Sequence, residues 1–153
     1  VKDLVAARKA EGAALQTVLS ARVERIAALT EAAEDCPGRK PGAVKARLAQ
    51  SIAQLTDASP TLDPARLHQE ALLLAAKADV REELDRLKAH VAAARELLAS
   101  AAPAGRKLDF LAQEFAREAN TLCSKSNDAA LTSLGMELRV EIEQFREQVQ
   151  NIE

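Results

Sequence analysis

The chain has 153 residues, a length that suits a single domain. Alanine and leucine dominate, 29% of residues are charged and Trp and Tyr are absent, a composition typical of long helices and unfavourable for a β-sheet. The formal net charge of −2 excludes attraction of nucleic acid by overall charge, although a local basic patch stays open.

The two cysteines, Cys36 and Cys123, are isolated and have no metal-ligand spacing around them. They favour a reducing compartment, and together with the lack of a membrane-length apolar run or a visible signal peptide they predict a cytoplasmic protein. Val1 stands where an initiator Met is expected, and helical sequence begins almost at once. We interpret this start as part of a longer chain; a removed Met or a trimmed start is the competing account.

Helical periodicity recurs along the chain and is interrupted at CPGRKPG, DASPTLDP and SAAPAG, where Pro and Gly cannot continue a helix. Asp63 and Pro64 form a good helix start. Asp79 and Glu82 resemble a capping box, which either begins a new helix or only bends a continuous one. The predicted helices cover about residues 3–34, 43–56, 64–78, 79–98, 106–124 and 127 to the end.

Two of these helices have apolar residues at spacings of three and four, the pattern of a coiled-coil seam. The seams are Val80, Leu84, Leu87, Val91, Ala94 and Leu98, and then Leu131, Leu134, Leu138, Ile142, Phe145, Val149 and Ile152. Short connections favour antiparallel neighbours, and long hairpins with small cores often pair between subunits. The sequence therefore predicts an all-α bundle of antiparallel helices with long helical hairpins, oligomeric through coiled-coil-like seams.

Residues 1–57 are interpreted as a helical segment, the remainder of a linker or hairpin from a longer chain, and residues 58–153 as a C-terminal helical domain. Within the second part, Glu114, Arg117 and Glu118 share one side of a helix. Two carboxylates one turn apart can share Mg²⁺ or Mn²⁺, which prefer oxygen ligands. A solvated flank with local ion pairs is the alternative.

A second charged group, Glu83, Arg86 and His90, also falls on one helix face. A histidine beside a carboxylate and a guanidinium can act in acid–base chemistry and phosphate binding; an exposed histidine on a charged face is the alternative. Downstream, residues 120–127 contain more polar side chains than a turn needs. This polar patch predicts phosphate or sugar recognition, or else a well-capped turn.

Two long motifs resemble a known family. The stretch GRKLDFLAQEFAREANTLCSKSNDAALTSLGMELRVEIEQFREQVQNIE is similar to the closing region of the YicC family of bacterial endoribonucleases. The stretch RLHQEALLLAAKADVREELDRLKAH resembles that family's RLxQE…DVxEELxRLxxH segment. The resemblance covers about residues 66–153, whereas the first 57 or so match only in helical character and placement.

This resemblance implies a cytoplasmic endonuclease that cuts single-stranded RNA, participates in the turnover of small regulatory RNAs and assembles as a ring-like hexamer. It implies a divalent metal, with Mn²⁺ the usual choice and Mg²⁺ an option, and an N-terminal domain that this chain lacks. The matched motifs contain every candidate site residue: Glu83, Arg86 and His90 in EELxRLxxH, and Glu114, Arg117, Glu118, Asn120 and Lys125 in QExxRExNTxxSK.

The leading hypothesis is a metal-dependent RNA endonuclease. Glu114 and Glu118 are expected to hold the metal, with Glu83 as a further candidate ligand. His90 and Glu83 are expected to be catalytic, with His90 as general acid or base. The expected contacts to the RNA backbone are Arg86, Arg117, Asn120 and Lys125. The alternatives are an assembly module whose catalytic groups lie partly in the missing domain, and an RNA-binding adaptor that passes RNA to another nuclease.

Overall fold

The structure is a computed structural model that describes residues 2–100 and 103–151. Every regular element in those two ranges is helical, which confirms the predicted all-α class. None of these helices is long and apolar enough to cross a bilayer. The elements, in chain order, are α1 (Lys2–Glu34), a short 3-10 helix (Pro37–Arg39), α2 (Pro41–Ala58), α3 (Pro64–Lys77), α4 (Arg81–Ala99), α5 (Gly105–Lys125) and α6 (Ala129–Gln150).

The helix boundaries follow the Pro and Asp signals in the sequence. Asp63 caps α3 by accepting a hydrogen bond from the Ala65 backbone N–H at 3.1 Å. A new helix, and not a bend, follows α3, because α3 ends at Lys77 and α4 begins at Arg81. Asp79 accepts from the Arg81 backbone N–H at 3.0 Å, although Val80 occupies the N-cap position itself. The capping prediction is therefore right about the helix start and wrong by one residue about the cap.

Four helices form the core of the molecule. Helix α1 packs against α4 and α6, and α5 packs against the same two helices, so the four form a closed cycle of neighbours. Their inward faces share a single apolar cluster. The largest side chains buried there include Phe115, Phe145, Leu19, Ile26, Leu84, Leu87, Leu108, Leu122, Leu138 and Ile142.

The two predicted seams are filled inside this bundle. All six residues of the first seam, which begins at the N-cap of α4, are at most 9% exposed. The α6 seam is buried at five positions and partly buried at Leu134; Ile152 lies outside the described residues. A heptad pattern shows that a helix needs a partner, but the pattern does not say which chain supplies it. Within one molecule α1 and α5 pack over both seams, and assembly into an oligomer stays a prediction.

Helix α1 belongs to the same core as the C-terminal helices. Its second half buries Leu19, Val23, Ile26 and Leu29, whereas the described side chains before Leu15 are exposed. The domain division at residue 57 stays a prediction, but the apolar core extends across it.

Helices α2 and α3 pack against each other as a hairpin beside the bundle. Helix α2 has no buried side chain, and α3 buries only Leu67 and Ala71. Between this hairpin and the α5–α6 turn lies a cleft of about 660 Å³. Arg47 of α2 reaches across to this turn. Its Nη1 donates a hydrogen bond to Asn127 Oδ1 at 2.8 Å, and its Nη2 forms an ion pair with Asp128 Oδ1 at 3.6 Å.

Candidate metal centre

The structure brings three of the predicted site residues together from two helices. His90 lies on α4, and Glu114 and Glu118 lie one turn apart on α5. One potential ligand atom from each side chain lies within 4.8 Å of the other two. Within the described part of the chain, this is the one group of three or more His, Cys, Asp and Glu side chains that meets this geometry. We refer to it as the His90–Glu114–Glu118 cluster.

The apolar core holds the His90 ring in place. His90 precedes the buried Val91, and its imidazole meets Phe115 edge to face with ring centroids 5.8 Å apart. Phe115 in turn packs edge to face on Phe145 of α6 at 5.9 Å. These contacts fix the imidazole between α4 and α5 without using its nitrogen atoms.

One imidazole nitrogen of His90 is buried without a hydrogen-bond partner. Its Nε2 atom is buried and makes no hydrogen bond, and buried polar atoms are seldom left in this state without a functional reason. A nitrogen of this kind beside two carboxylates is a suitable donor for a divalent transition metal. The residues present therefore fit a metal ion of that class.

The two carboxylates differ in burial. The Glu118 side chain is only 2% exposed, and its Oε1 accepts a hydrogen bond from Arg86 Nη1 at 3.3 Å. Glu114 is 25% exposed and faces Arg117 Nη1 at 3.9 Å. The hydrogen bond to Glu118 is the largest cause of a raised pKa for Arg86. Arg86 thus compensates the buried charge of Glu118, while Glu114 is partly exposed to solvent.

Glu83 lies outside the cluster, in a separate ion pair. Its Oε1 accepts from Lys125 Nζ at 2.6 Å, while its buried Oε2 has no hydrogen-bond partner. Lys125 also donates to the Asp79 carbonyl at 3.4 Å, and its pKa is raised mainly by the bond to Glu83. This pair joins the start of α4 to the end of α5. The predicted catalytic role of Glu83 stays a prediction.

The four predicted RNA contacts fall into two groups. Arg86 and Lys125 are engaged with buried carboxylates. Arg117 is 67% exposed, and Asn120 is exposed one turn further along α5. The second group is therefore the more exposed of the two, although Arg117 also forms a long ion pair with Glu114.

The polar patch uses several of its side chains in local hydrogen bonds at the end of α5 and in the turn that follows. Ser124 donates to the Thr121 carbonyl at 2.9 Å, and Ser126 donates to the Asp128 carbonyl at 3.1 Å. Asp128 caps α6 by accepting from the Leu131 backbone N–H at 2.9 Å. These bonds favour the capped-turn interpretation, and phosphate or sugar recognition by the patch stays a prediction.

Two participants were not identified from the sequence. Glu82 accepts a hydrogen bond from Arg86 one turn along α4, a pairing that the i,i+4 spacing could have indicated. Asp128 contacts Arg47 across 81 positions of the chain and receives a hydrogen bond from Cys36 Sγ at 3.4 Å. No local pattern in the sequence indicates contacts of that separation.

The structure is thus that of an all-helical protein with a candidate metal site made of one histidine and two glutamates. Comparisons with known proteins identify its family. The family profile described as "Endoribonuclease YicC-like, C-terminal" matches residues 33–153. A Haemophilus influenzae protein named "Probable endoribonuclease YicC" is 42% identical over 151 residues, which cover 99% of this chain and 52% of that protein. A Clostridioides difficile protein of the same name is 42% identical over 102 residues, or 67% of this chain and 35% of that protein.

The chain belongs to the YicC-like endoribonuclease family. It spans about half the length of the Haemophilus influenzae relative and about a third of the Clostridioides difficile one. The matched region begins well before residue 66, where the sequence motifs first become recognisable. Helix α2 therefore lies within the family match, and the similarity to the Haemophilus influenzae protein, over 99% of this chain, extends to α1.

Proposed function

We propose that this chain is the C-terminal helical part of a cytoplasmic, metal-dependent endoribonuclease that hydrolyses single-stranded RNA and participates in small-RNA turnover. The printed names of both relatives support ribonuclease activity. The observation that carries the metal dependence is the His90–Glu114–Glu118 cluster, with its buried and unpartnered imidazole nitrogen.

His90, Glu114 and Glu118 would hold the cation. One nitrogen and two carboxylate donors favour Mn²⁺ over Mg²⁺, because Mg²⁺ prefers all-oxygen coordination. A bound divalent cation supplies Lewis-acid charge stabilisation at a phosphodiester. In this proposal His90 is a ligand, a role that excludes general acid–base chemistry at the same nitrogen; Glu83 is then the remaining candidate catalytic base.

Arg117 and Asn120 are the proposed RNA contacts of this face. Both are exposed on α5, the helix that also presents Glu114 and Glu118. A guanidinium beside the cluster would hold a phosphate near the reacting bond. Assembly into a hexamer is part of the proposal and requires surfaces other than the two buried seams.

The test is cleavage of an end-labelled single-stranded RNA with Mn²⁺, with Mg²⁺ and with EDTA. We expect products with Mn²⁺, fewer with Mg²⁺ and none with EDTA. The double substitution Glu114→Gln with Glu118→Gln should abolish cleavage and Mn²⁺ binding. The matched control is Glu143→Gln with Glu147→Gln, which removes two exposed carboxylates one turn apart on α6 and should leave both unchanged.

Metal-independent cleavage, or full activity of the Glu114/Glu118 double variant, would contradict the metal assignment. A second candidate function is assembly or RNA holding, and it is favoured by the share of the relatives that lies outside this chain. It predicts metal-independent RNA binding without products from this chain, an oligomer in light scattering, and cleavage only by a longer version.

A further inference from the structure

Arg86 makes contacts that differ from those expected of an RNA-binding side chain. Although its side chain is 47% exposed, both guanidinium nitrogens at its tip meet carboxylates of the same molecule. Nη1 donates to Glu118 Oε1 at 3.3 Å, and Nη2 donates to Glu82 Oε1 one turn back on α4. Both terminal nitrogens of Arg86 are therefore engaged within the molecule, although about half of the side chain is exposed.

The Glu118 carboxylate needs such a partner. It is almost fully buried, and a buried carboxylate without a hydrogen-bonded counter-charge is strongly unfavourable. A guanidinium that engages one oxygen also restricts rotation of the carboxylate. Partners that orient a metal ligand in this way commonly change metal affinity by about 10- to 100-fold.

Glu82 restrains Arg86 in the same manner. Its carboxylate is 68% exposed and lies outside the His90–Glu114–Glu118 cluster, so its contact with the site runs through Arg86. The three side chains form a chain of ion pairs from the surface of α4 to the buried position on α5. Arg117, 67% exposed and 3.9 Å from Glu114, is by comparison the less restrained cation.

We infer that Arg86 is a positioning residue that orients Glu118 for metal binding, and that Glu82 holds Arg86 in the required conformation. The inference rests on the proposed metal centre. It assigns Arg86 to the metal site, in place of the RNA contact predicted from the sequence. Glu82 then acts on the site indirectly, through its hydrogen bond with Arg86.

The test is isothermal titration of the folded chain with Mn²⁺ alone. Arg86→Gln should bind Mn²⁺ about 10- to 100-fold more weakly than the wild type, and Arg86→Lys should recover part of the loss. Glu82→Gln, which leaves the Arg86–Glu118 pair in place, should show a smaller, several-fold loss. Arg81→Gln, the same charge change at an exposed position of α4, is the matched control and should bind as the wild type does.

An RNA-binding measurement in EDTA separates positioning from a direct phosphate contact. Arg86→Gln should leave RNA affinity and its salt dependence unchanged. Removal of a phosphate contact would instead lower the slope of log affinity against log salt by about one. Such a change, or unaltered Mn²⁺ affinity in Arg86→Gln, would overturn the inference.

Circular dichroism of each variant confirms that the comparison is made between folded proteins. If Arg86→Gln does not fold, Glu82→Gln and Arg86→Lys decide the outcome, and wild-type Mn²⁺ affinity in both overturns the inference. Failure of the wild-type chain to bind Mn²⁺ would refute the metal centre itself. If the wild type binds Mn²⁺ and the variants bind it with the same affinity, only the role of Arg86 would be refuted.

Discussion

The four-helix bundle and the α2–α3 hairpin are built from similar amphipathic helices, yet they bury very different amounts of apolar surface. Helix α4 buries five apolar side chains and α5 buries six, whereas α2 buries none. In the hairpin, Leu55, Leu72, Leu73 and Leu74 are each 46–55% exposed. The length of an apolar stripe in the sequence therefore does not show how much of that stripe is buried in the folded protein.

The difference in burial also affects which part of the molecule can hold a metal site in a fixed geometry. The His90–Glu114–Glu118 cluster lies between two helices of the bundle, where close packing restrains the side chains. The hairpin is joined to the bundle through polar contacts such as Arg47 with Asn127 and Asp128. Segments with few buried apolar contacts open at lower free-energy cost, so the hairpin should move more readily than the bundle.

The largest expected effect comes from the aromatic pair beneath the cluster. Phe115→Ala should lower the free energy of unfolding by about 3–5 kcal/mol, because it leaves a cavity in the bundle. It should also weaken Mn²⁺ binding, since Phe115 contacts the His90 ring. Urea denaturation and Mn²⁺ titration measure the two effects.

Phe110→Ala is the control for this substitution, because Phe110 lies on the same helix and is 59% exposed. Its unfolding free energy should change by no more than about 0.5 kcal/mol. Similar losses in the two variants would contradict the assignment of the core to this face of α5.

The second prediction concerns the close approach of α5 and α6 at Gly135. A Cβ atom there would lie 2.7 Å from Cys123 Sγ and 2.9 Å from Leu122 Cδ2. We expect Gly135→Ala to destabilise the bundle, because overpacking costs about 1–3 kcal/mol and the gain in helix propensity is only about 1 kcal/mol.

Thermal unfolding measures this loss. The same substitution in a Cys123→Ala background should cost less, because the nearest atom has been removed. An equal cost in both backgrounds would show that Cys123 does not limit the approach of the two helices.

The third prediction tests the joint between bundle and hairpin. Asp128 caps α6 and pairs with Arg47 of α2. Asp128→Ala should cost about 1 kcal/mol through loss of the cap. Asp128→Asn keeps a good capping residue and loses only the ion pair, so its cost should stay below about 1 kcal/mol. Denaturant titration of the two variants separates the contribution of the helix cap to stability from that of the ion pair with Arg47.

The same residue produces a pH dependence. The pKa of Asp128 is lowered, chiefly by the hydrogen bond from the Leu131 backbone N–H, with smaller contributions from Cys36 and Arg47. Because the folded pKa lies below the unfolded one, its stabilisation is present above pH ~4 and is lost as pH falls through the folded pKa. Asp128→Asn should therefore flatten the acid limb of the stability profile; an unchanged acid limb would contradict this account.

The smallest expected effect belongs to the exposed leucines of the hairpin. Leu73, 51% exposed on α3, should tolerate substitution by Ala within about 0.5 kcal/mol. Leu87, fully buried on α4, should lose about 2–5 kcal/mol on the same change. Equal costs in denaturation would mean that the hairpin is covered in solution, for example by another subunit.

Much of the local structure was predictable from the sequence. The Pro and Gly clusters mark the ends of α1 and α2, and Asp63 with Pro64 marks the start of α3, because these residues act on the backbone within one turn. The pairing of Glu114 with Glu118 also follows from i,i+4 spacing on a single helix. These are properties of neighbouring residues and need no knowledge of the rest of the chain.

The contacts between helices depended on the tertiary structure. Packing of α4 on α5 places His90 beside Glu114 and Glu118, and it joins Glu83 to Lys125 and Arg86 to Glu118. Packing of α1 and α5 on both α4 and α6 covers the two seams inside one molecule. Periodicity specifies which face of a helix is apolar, but long-range packing decides which neighbour that face meets and which charges are brought together.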